Sequence, residues 1–181
     1  MLKVVVNIGI FYAAWLGIIV SQSYEYYDLC HYIAPVLFAA HLIFVAETPK
    51  VEVFILPLVA IVGFALDSSM AMVGFLEFKL PTQPAPLWLL ELWFIFATTI
   101  NYSMKAILER PKLAASLGFF AAPLTYLSGE YWGIVFYQQP KLLGMVIHGL
   151  IWAVLLFFML RVYNHLYRLM ENRLTPQFHQ Q

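Results

Sequence analysis

The sequence predicts an all-α integral membrane protein: a bundle of six transmembrane helices with both the N-terminus and the C-terminus cytoplasmic. Three observations predict it. Of 181 residues, 62% are apolar and 11% charged, where a soluble domain carries roughly 45–50% and about 25%. Apolar stretches recur at close to the ~20 residues a helix needs to cross a hydrocarbon core of about 30 Å. The basic residues also fall mostly on one side of the threading those stretches impose. Residues 1–168 form a single transmembrane domain in this reading, and residues 169–181 a flexible cytoplasmic tail.

The first span covers residues 4–20. Its apolar run is longer than the roughly 7–15 residues of a signal-peptide core, so it is expected to stay in the protein. The second, 32–46, is short. The third, 51–78, is long, carries Asp67-Ser68-Ser69 in its middle and is expected to continue through them. The fourth covers 87–107, the fifth 113–137 and the sixth 142–163. Pro49, Pro86, Pro111 and Pro140 lie at or just before helix starts, where a missing N–H does no harm. Pro57 and Pro123 fall inside the third and fifth spans and are expected to bend or open them.

Charge sets the orientation. With the N-terminus inside, Lys3, Lys50, Lys105, Arg110, Lys112, Arg161, Arg168 and Arg173 are cytoplasmic, and only Lys79 and Lys141 lie outside. Eight against two follows the positive-inside rule. The expected location is a membrane, crossed several times.

Four ionisable residues sit in stretches too apolar to hold them cheaply: Asp67, Glu91, Glu130 and His148. A charge at membrane depth is costly, so such groups usually face a protein interior or a wet cavity. In the fourth span Glu91, Thr98, Asn101, Tyr102 and Lys105 fall within roughly a 100° arc of one continuous helix. In the third, Gly63, Asp67, Met70 and Gly74 share a face. In the fifth, Gly118, Ala122, Thr125, Gly129 and Gly133 form a small-residue seam of the kind that lets helices approach closely in lipid. The sixth offers Gly144, His148 and Trp152. At 1.5 Å per residue, Asp67 lies about 16 Å below the outer end of its span, Glu91 about 6 Å, and Glu130 and His148 about 10 Å each. All four therefore fall in the outer half, with His41 near mid-membrane, and could line one cavity open to the outside. Gly63 and Gly74, then Gly118 and Gly129, repeat a spacing of eleven and hint at a duplicated hairpin.

Other classes are excluded or unsupported. There is no basic block for nucleic acid. No zinc-protease helix, nucleophile elbow or histidine box is present, so no catalytic motif is found. Cys30 is the only cysteine; that excludes an intrachain disulfide and a Cys-based metal site. Neither a cofactor nor a metal is specified.

The strings Pro86-Leu87-Trp88-Leu89, Leu92-Trp93, Phe96-Ala97 and Asn101-Tyr102-Ser103 resemble the DUF2878 family of small bacterial inner-membrane proteins. So do Asp67-Ser68 and the set Gly118, Ala122-Pro123-Leu124, Tyr126, Gly129 and Gly133. The resemblance implies a polytopic inner-membrane protein and transfers no activity. The functional expectation is therefore drawn from the residues. A small or lipidic ligand would be bound or transported in a pocket facing the outer side. Asp67 and Glu91 would orient it, with Glu130 and His148 as companions and Trp88, Trp93 and Tyr126 as walls. The alternatives are an accessory protein or enzyme of membrane-lipid modification, with Asp67, Glu91 and His148 as acid–base or metal-binding groups, and a structural scaffold. Membrane lipids and partner membrane proteins are the expected company.

Overall fold

The computed structural model describes residues 1–80 and 84–174. In order, the elements are α1 (Leu2–Ser23), a 3-10 turn (Tyr27–Leu29), α2 (Cys30–Phe44), α3 (Pro49–Met72), β1 (Leu76–Phe78), α4 (Leu87–Ala97), α5 (Lys105–Leu108), α6 (Pro111–Tyr131), β2 (Val135–Tyr137) and α7 (Lys141–Leu174). Among the described residues, four helical stretches are long and apolar enough to cross a membrane: Leu2–Ser23, Tyr27–Phe44, Pro49–Met72 and Lys141–Arg173. The chain is thus largely helical and of membrane type.

Two sets of contacts define the ends of the bundle. Lys3 pairs with Glu47 at 3.3 Å, and Tyr167 Oη donates to Thr48 Oγ1 at 2.8 Å. The start of α1, the α2–α3 turn and the far part of α7 therefore share one end, here the termini end. At the other, hairpin end, Ser23 Oγ donates to the Trp132 carbonyl at 3.0 Å, and Lys79 pairs with Glu25 at 3.0 Å. A buried apolar cluster occupies each half. Trp88, Trp93 and Tyr126 belong to the one nearer the hairpin end, and Ile55, Ile100, Leu108 and Tyr163 to the other.

Several expectations are corrected. The third span runs unbroken through Asp67 but ends at Met72, and the fifth ends at Tyr131. The residues beyond each do not extend a helix. They form β1 and β2, an antiparallel pair in the register Leu76↔Tyr137, Glu77↔Phe136 and Phe78↔Val135. Gly74 (φ 80°) and Gly133 (φ 71°) switch the chain from helix to strand in the left-handed region where a Cβ is unwelcome. α3 and α6 stay helical through Pro57 and Pro123. The expected tail is helical as far as Leu174; residues 175–181 lie outside the described part.

The largest departure is the fourth span. α4 stops at Ala97 after 11 residues. Thr98 Oγ1 donates to the Ile95 carbonyl and Thr99 Oγ1 to that of Phe96, both at 2.7 Å. Such hydroxyls offer the backbone an alternative to the helical ladder. The chain then turns through Thr98–Ser103 before α5. The polar stripe computed for one continuous helix dissolves, and Tyr102 no longer shares a face with Glu91.

Candidate functional site

Asp67 lies on α3 only five residues from its end, so its depth is about 8 Å rather than 16 Å. It is 1% exposed. Its Oδ2 accepts the Trp93 Nε1–H of α4 at 2.7 Å, and its Oδ1 lies 3.3 Å from Nε2 of His148 on α7. His148 is fully buried, and its Nδ1 meets the Tyr137 hydroxyl of β2 at 2.6 Å. The result is a chain of hydrogen bonds, Tyr137–His148–Asp67–Trp93, across four elements. A tryptophan N–H can only donate and a carboxylate only accept, which fixes one end. The tyrosine hydroxyl can donate to a neutral imidazole or accept from a charged one.

Aromatic rings seal this chain. Trp93 stacks on Trp152 with centroids 4.9 Å apart, and Tyr126 stands edge-on to His148 at 4.4 Å. The Tyr126 hydroxyl is buried and has no hydrogen-bond partner among the described residues. Gly63 makes the seating possible: a Cβ there would come within 2.2 Å of the Trp93 ring. Gly118 and Gly149 bring α6 and α7 together, each with backbone of the other helix where a Cβ would stand.

Of the seven residues singled out in the sequence, Asp67, His148, Trp93 and Tyr126 converge. Glu91, Glu130 and Trp88 do not join them. Glu91 Oε1 lies 2.6 Å from Nδ1 of His31 at the start of α2. Glu130, one residue from the end of α6, pairs at 2.8 Å with Lys141, both partly exposed; an ion pair in such a place is worth little. Trp88 packs edge-on against Phe78 and lines a small recess with Gln22, Tyr27 and Lys79. The expected single outward-facing cavity gives way to separate pairs.

A second buried polar cluster lies toward the termini end, and reading the sequence found only half of it. Glu52, fully buried on α3, meets His41 Nε2 at 2.9 Å and accepts the Tyr102 hydroxyl at 2.6 Å. His41 Nδ1 lies 3.4 Å from the Asn7 amide. Asn7 in turn donates to the Thr98 carbonyl at 3.2 Å and accepts the Ser103 hydroxyl at 2.6 Å. The signal that could have found Glu52 is its partner: His41 is buried too, and two lone ionisable residues in neighbouring spans need one another.

Neither pair gathers a third His, Cys, Asp or Glu ligand atom within metal-binding reach among the described residues. What the Asp67–His148 chain can do is hold a charge or a proton in an apolar interior and join α3 to α7 while doing so. No curated protein and no solved structure matches the chain. One family model does, that of a protein of unknown function, DUF2878, over residues 4–158. That match spans most of the chain and includes every residue of both buried clusters, so the protein belongs to the DUF2878 family.

Proposed function

We propose that the protein is a multi-pass inner-membrane protein of the binding or transport type, and that its ligand is a phospholipid held between α3 and α7. In this reading α4–α5 and α6 also cross, giving six spans with both termini inside. The observation that carries the proposal is how α3 and α7 part. They are joined at Asp67–His148 by a contact of 3.3 Å. From Leu66 and Leu150, one and two residues away, they enclose a groove of about 590 Å³ that runs along α3 to Leu58 and along α7 to Leu166. Ligand sites commonly measure about 300–1,000 Å³. Apart from the Tyr163 hydroxyl and the Met159 thioether, the lining is aliphatic or phenyl.

Leu58, Val62, Val154 and Phe158 of the groove are exposed. Both helices are of spanning length, so these residues face acyl chains rather than water. The ligand then enters sideways from the bilayer, not from the outer aqueous side. An acyl chain would fill the groove, with the Asp67–His148 contact as the latch that closes its far end. Exposed Lys50, Arg161 and Arg168 at the termini end would meet an anionic headgroup.

Native mass spectrometry of the protein released from membranes tests this. The wild type should retain about one phospholipid, enriched in anionic headgroups. Val154→Trp, which fills the groove, should lose it. Equal lipid occupancy in both proteins would remove the groove as the site. A second reading, an enzyme of lipid modification, draws on the Tyr137–His148–Asp67 chain, which is equipped for acid–base work. It requires the fatty-acid or headgroup profile to change in a deletion strain and to be restored by the wild type but not by His148→Phe.

A further inference from the structure

We infer that Cys30, His31 and Glu91 form a zinc site at the hairpin end, separate from the lipid groove and independent of that reading. Cys30 and His31 open α2, and Glu91 faces them from α4. Their donor atoms, a thiol sulfur, a ring nitrogen and a carboxylate oxygen, all lie within 4.8 Å of one another. Sγ of Cys30 and Nδ1 of His31 are 3.7 Å apart. Zinc–ligand bonds of about 2.0–2.3 Å in a tetrahedron put neighbouring donors roughly 3.4–3.7 Å apart, so this edge already has the right length. The His31–Glu91 edge, at 2.6 Å, is a hydrogen bond. It must open by less than about 1 Å to admit the ion.

The second carboxylate oxygen adds an independent observation. Glu91 Oε2 is buried with no hydrogen-bond partner among the described residues. Orphaned buried acceptors of this kind are rare and costly. Small rotations of the carboxylate would let that oxygen join the coordination. A supporting shell is in place as well. The side-chain amide of Gln22 lies 3.4 Å from Cys30 Sγ as a donor and 3.3 Å from the Tyr27 carbonyl, suited to hold a thiolate.

The chemistry selects the ion. A thiolate with an imidazole suits zinc and disfavours magnesium or calcium, which take oxygen ligands. On binding, the thiol proton leaves to water, Nδ1 gives its lone pair to the metal, and the imidazole hydrogen moves to Nε2. Three protein ligands leave the fourth position to water, the arrangement of zinc sites that polarise a bound molecule. Counting cysteines hid the site, because one cysteine suffices when histidine and glutamate complete the set.

The test uses the full chain, tag removed, stripped with chelator and titrated with zinc chloride or cobalt chloride. Cobalt should bind at one equivalent and develop the sulfur-to-cobalt charge-transfer band, and zinc should displace it. Cys30→Ser should abolish the band. Glu91→Gln should retain it while weakening affinity at least ~10-fold, and Gln22→Leu should weaken affinity by about 10–100-fold. Absence of the band in the wild type would overturn the proposal without recourse to any variant. So would one-equivalent zinc binding that Cys30→Ser and Glu91→Gln leave unchanged.

Discussion

Asp67 is 1% exposed and Glu52 not at all, and each carboxylate has both oxygens engaged. Burying an ion pair costs several kcal/mol per ion in desolvation, and removing one partner typically costs about 3–5 kcal/mol because the other is left unpaired. The His41–Glu52 pair should show this asymmetry. Glu52→Leu strands His41 and the Tyr102 hydroxyl and should destabilise by about 3–5 kcal/mol. The double variant His41→Phe with Glu52→Leu should recover at least half of that loss. Unfolding by denaturing detergent, read by tryptophan fluorescence, measures both. Equal losses in single and double variants would show that the two residues do not act as a pair. Asp67, His148, Trp93 and Tyr126 were legible in the sequence because each is a polar or aromatic residue deep in an apolar run. Glu52 was not. Four residues into a helix that opens at Pro49, it reads as an acid placed for the helix dipole, and only the tertiary fold carries it inward. Glu91 was found but misdirected, because its bearing was computed on a helix that Thr98 and Thr99 end.

Helices α1, α3 and α6 all run toward the hairpin end and finish in the same way. In each, the second residue after the cap bonds back to the carbonyl two positions before the last helical residue: Tyr26 N–H to Ser21, Phe75 N–H to Met70 and Ile134 N–H to Gly129. The left-handed position is Glu25, Gly74 or Gly133. Glu25 bears the cost of a side chain there and is held by its ion pair with Lys79, whose ammonium this carboxylate raises above the ordinary lysine range. The two glycines make α3–β1 and α6–β2 equivalent units. Asp67 and Tyr126 stand at matching places, each seven residues before its glycine (74 − 67 and 133 − 126). The spacing of eleven in the sequence matched Gly74 to Gly129, four residues short of Gly133, the residue that closes α6 as Gly74 closes α3. Strands of three residues are too short for alternation to reveal, so no pattern could have corrected it. A left-handed non-glycine residue costs roughly 1–2 kcal/mol. Gly74→Ala and Gly133→Ala should each destabilise by about that amount, and by similar amounts. Neither added Cβ would meet a neighbour within 4 Å, so the loss isolates the backbone term. A loss well below ~0.5 kcal/mol at either site would mean that its helix end is held by something other than this closure.

At the scale of the whole molecule, the threading turns on the broken fourth element. α4 alone is 11 residues, about 16 Å against a hydrocarbon core of about 30 Å. Non-helical backbone at membrane depth is tolerated where protein buries it and satisfies its polar groups. Both conditions hold here. Thr98, Thr99 and Ile100 are at most 2% exposed, and Asn7 bonds the Thr98 carbonyl and the Ser103 backbone and hydroxyl from α1. Leu108 of α5 then packs in the same cluster as Tyr163 near the termini end. The chain thus travels from one end of the bundle to the other between Leu87 and Leu108 without a full-length helix. In the proposed threading this path crosses the membrane, unseen by a hydropathy count of long helices, and it places Lys105, Arg110 and Lys112, which follow α4, with the other basic residues. Reporter fusions decide the matter. A fluorescent protein joined after Arg110 or at the C-terminus should fluoresce, and a secreted phosphatase joined after Lys79 or Gln138 should be active, with the reciprocal fusions silent. Active phosphatase after Arg110 would place that residue on the same side as Lys79. α4 would then be a re-entrant segment, and the six-span threading would fail at its fourth element. Asn7→Leu provides the physical control. It withdraws the amide that bonds the turn, so the Arg110 fluorescent fusion should dim while the Lys79 phosphatase fusion keeps its activity.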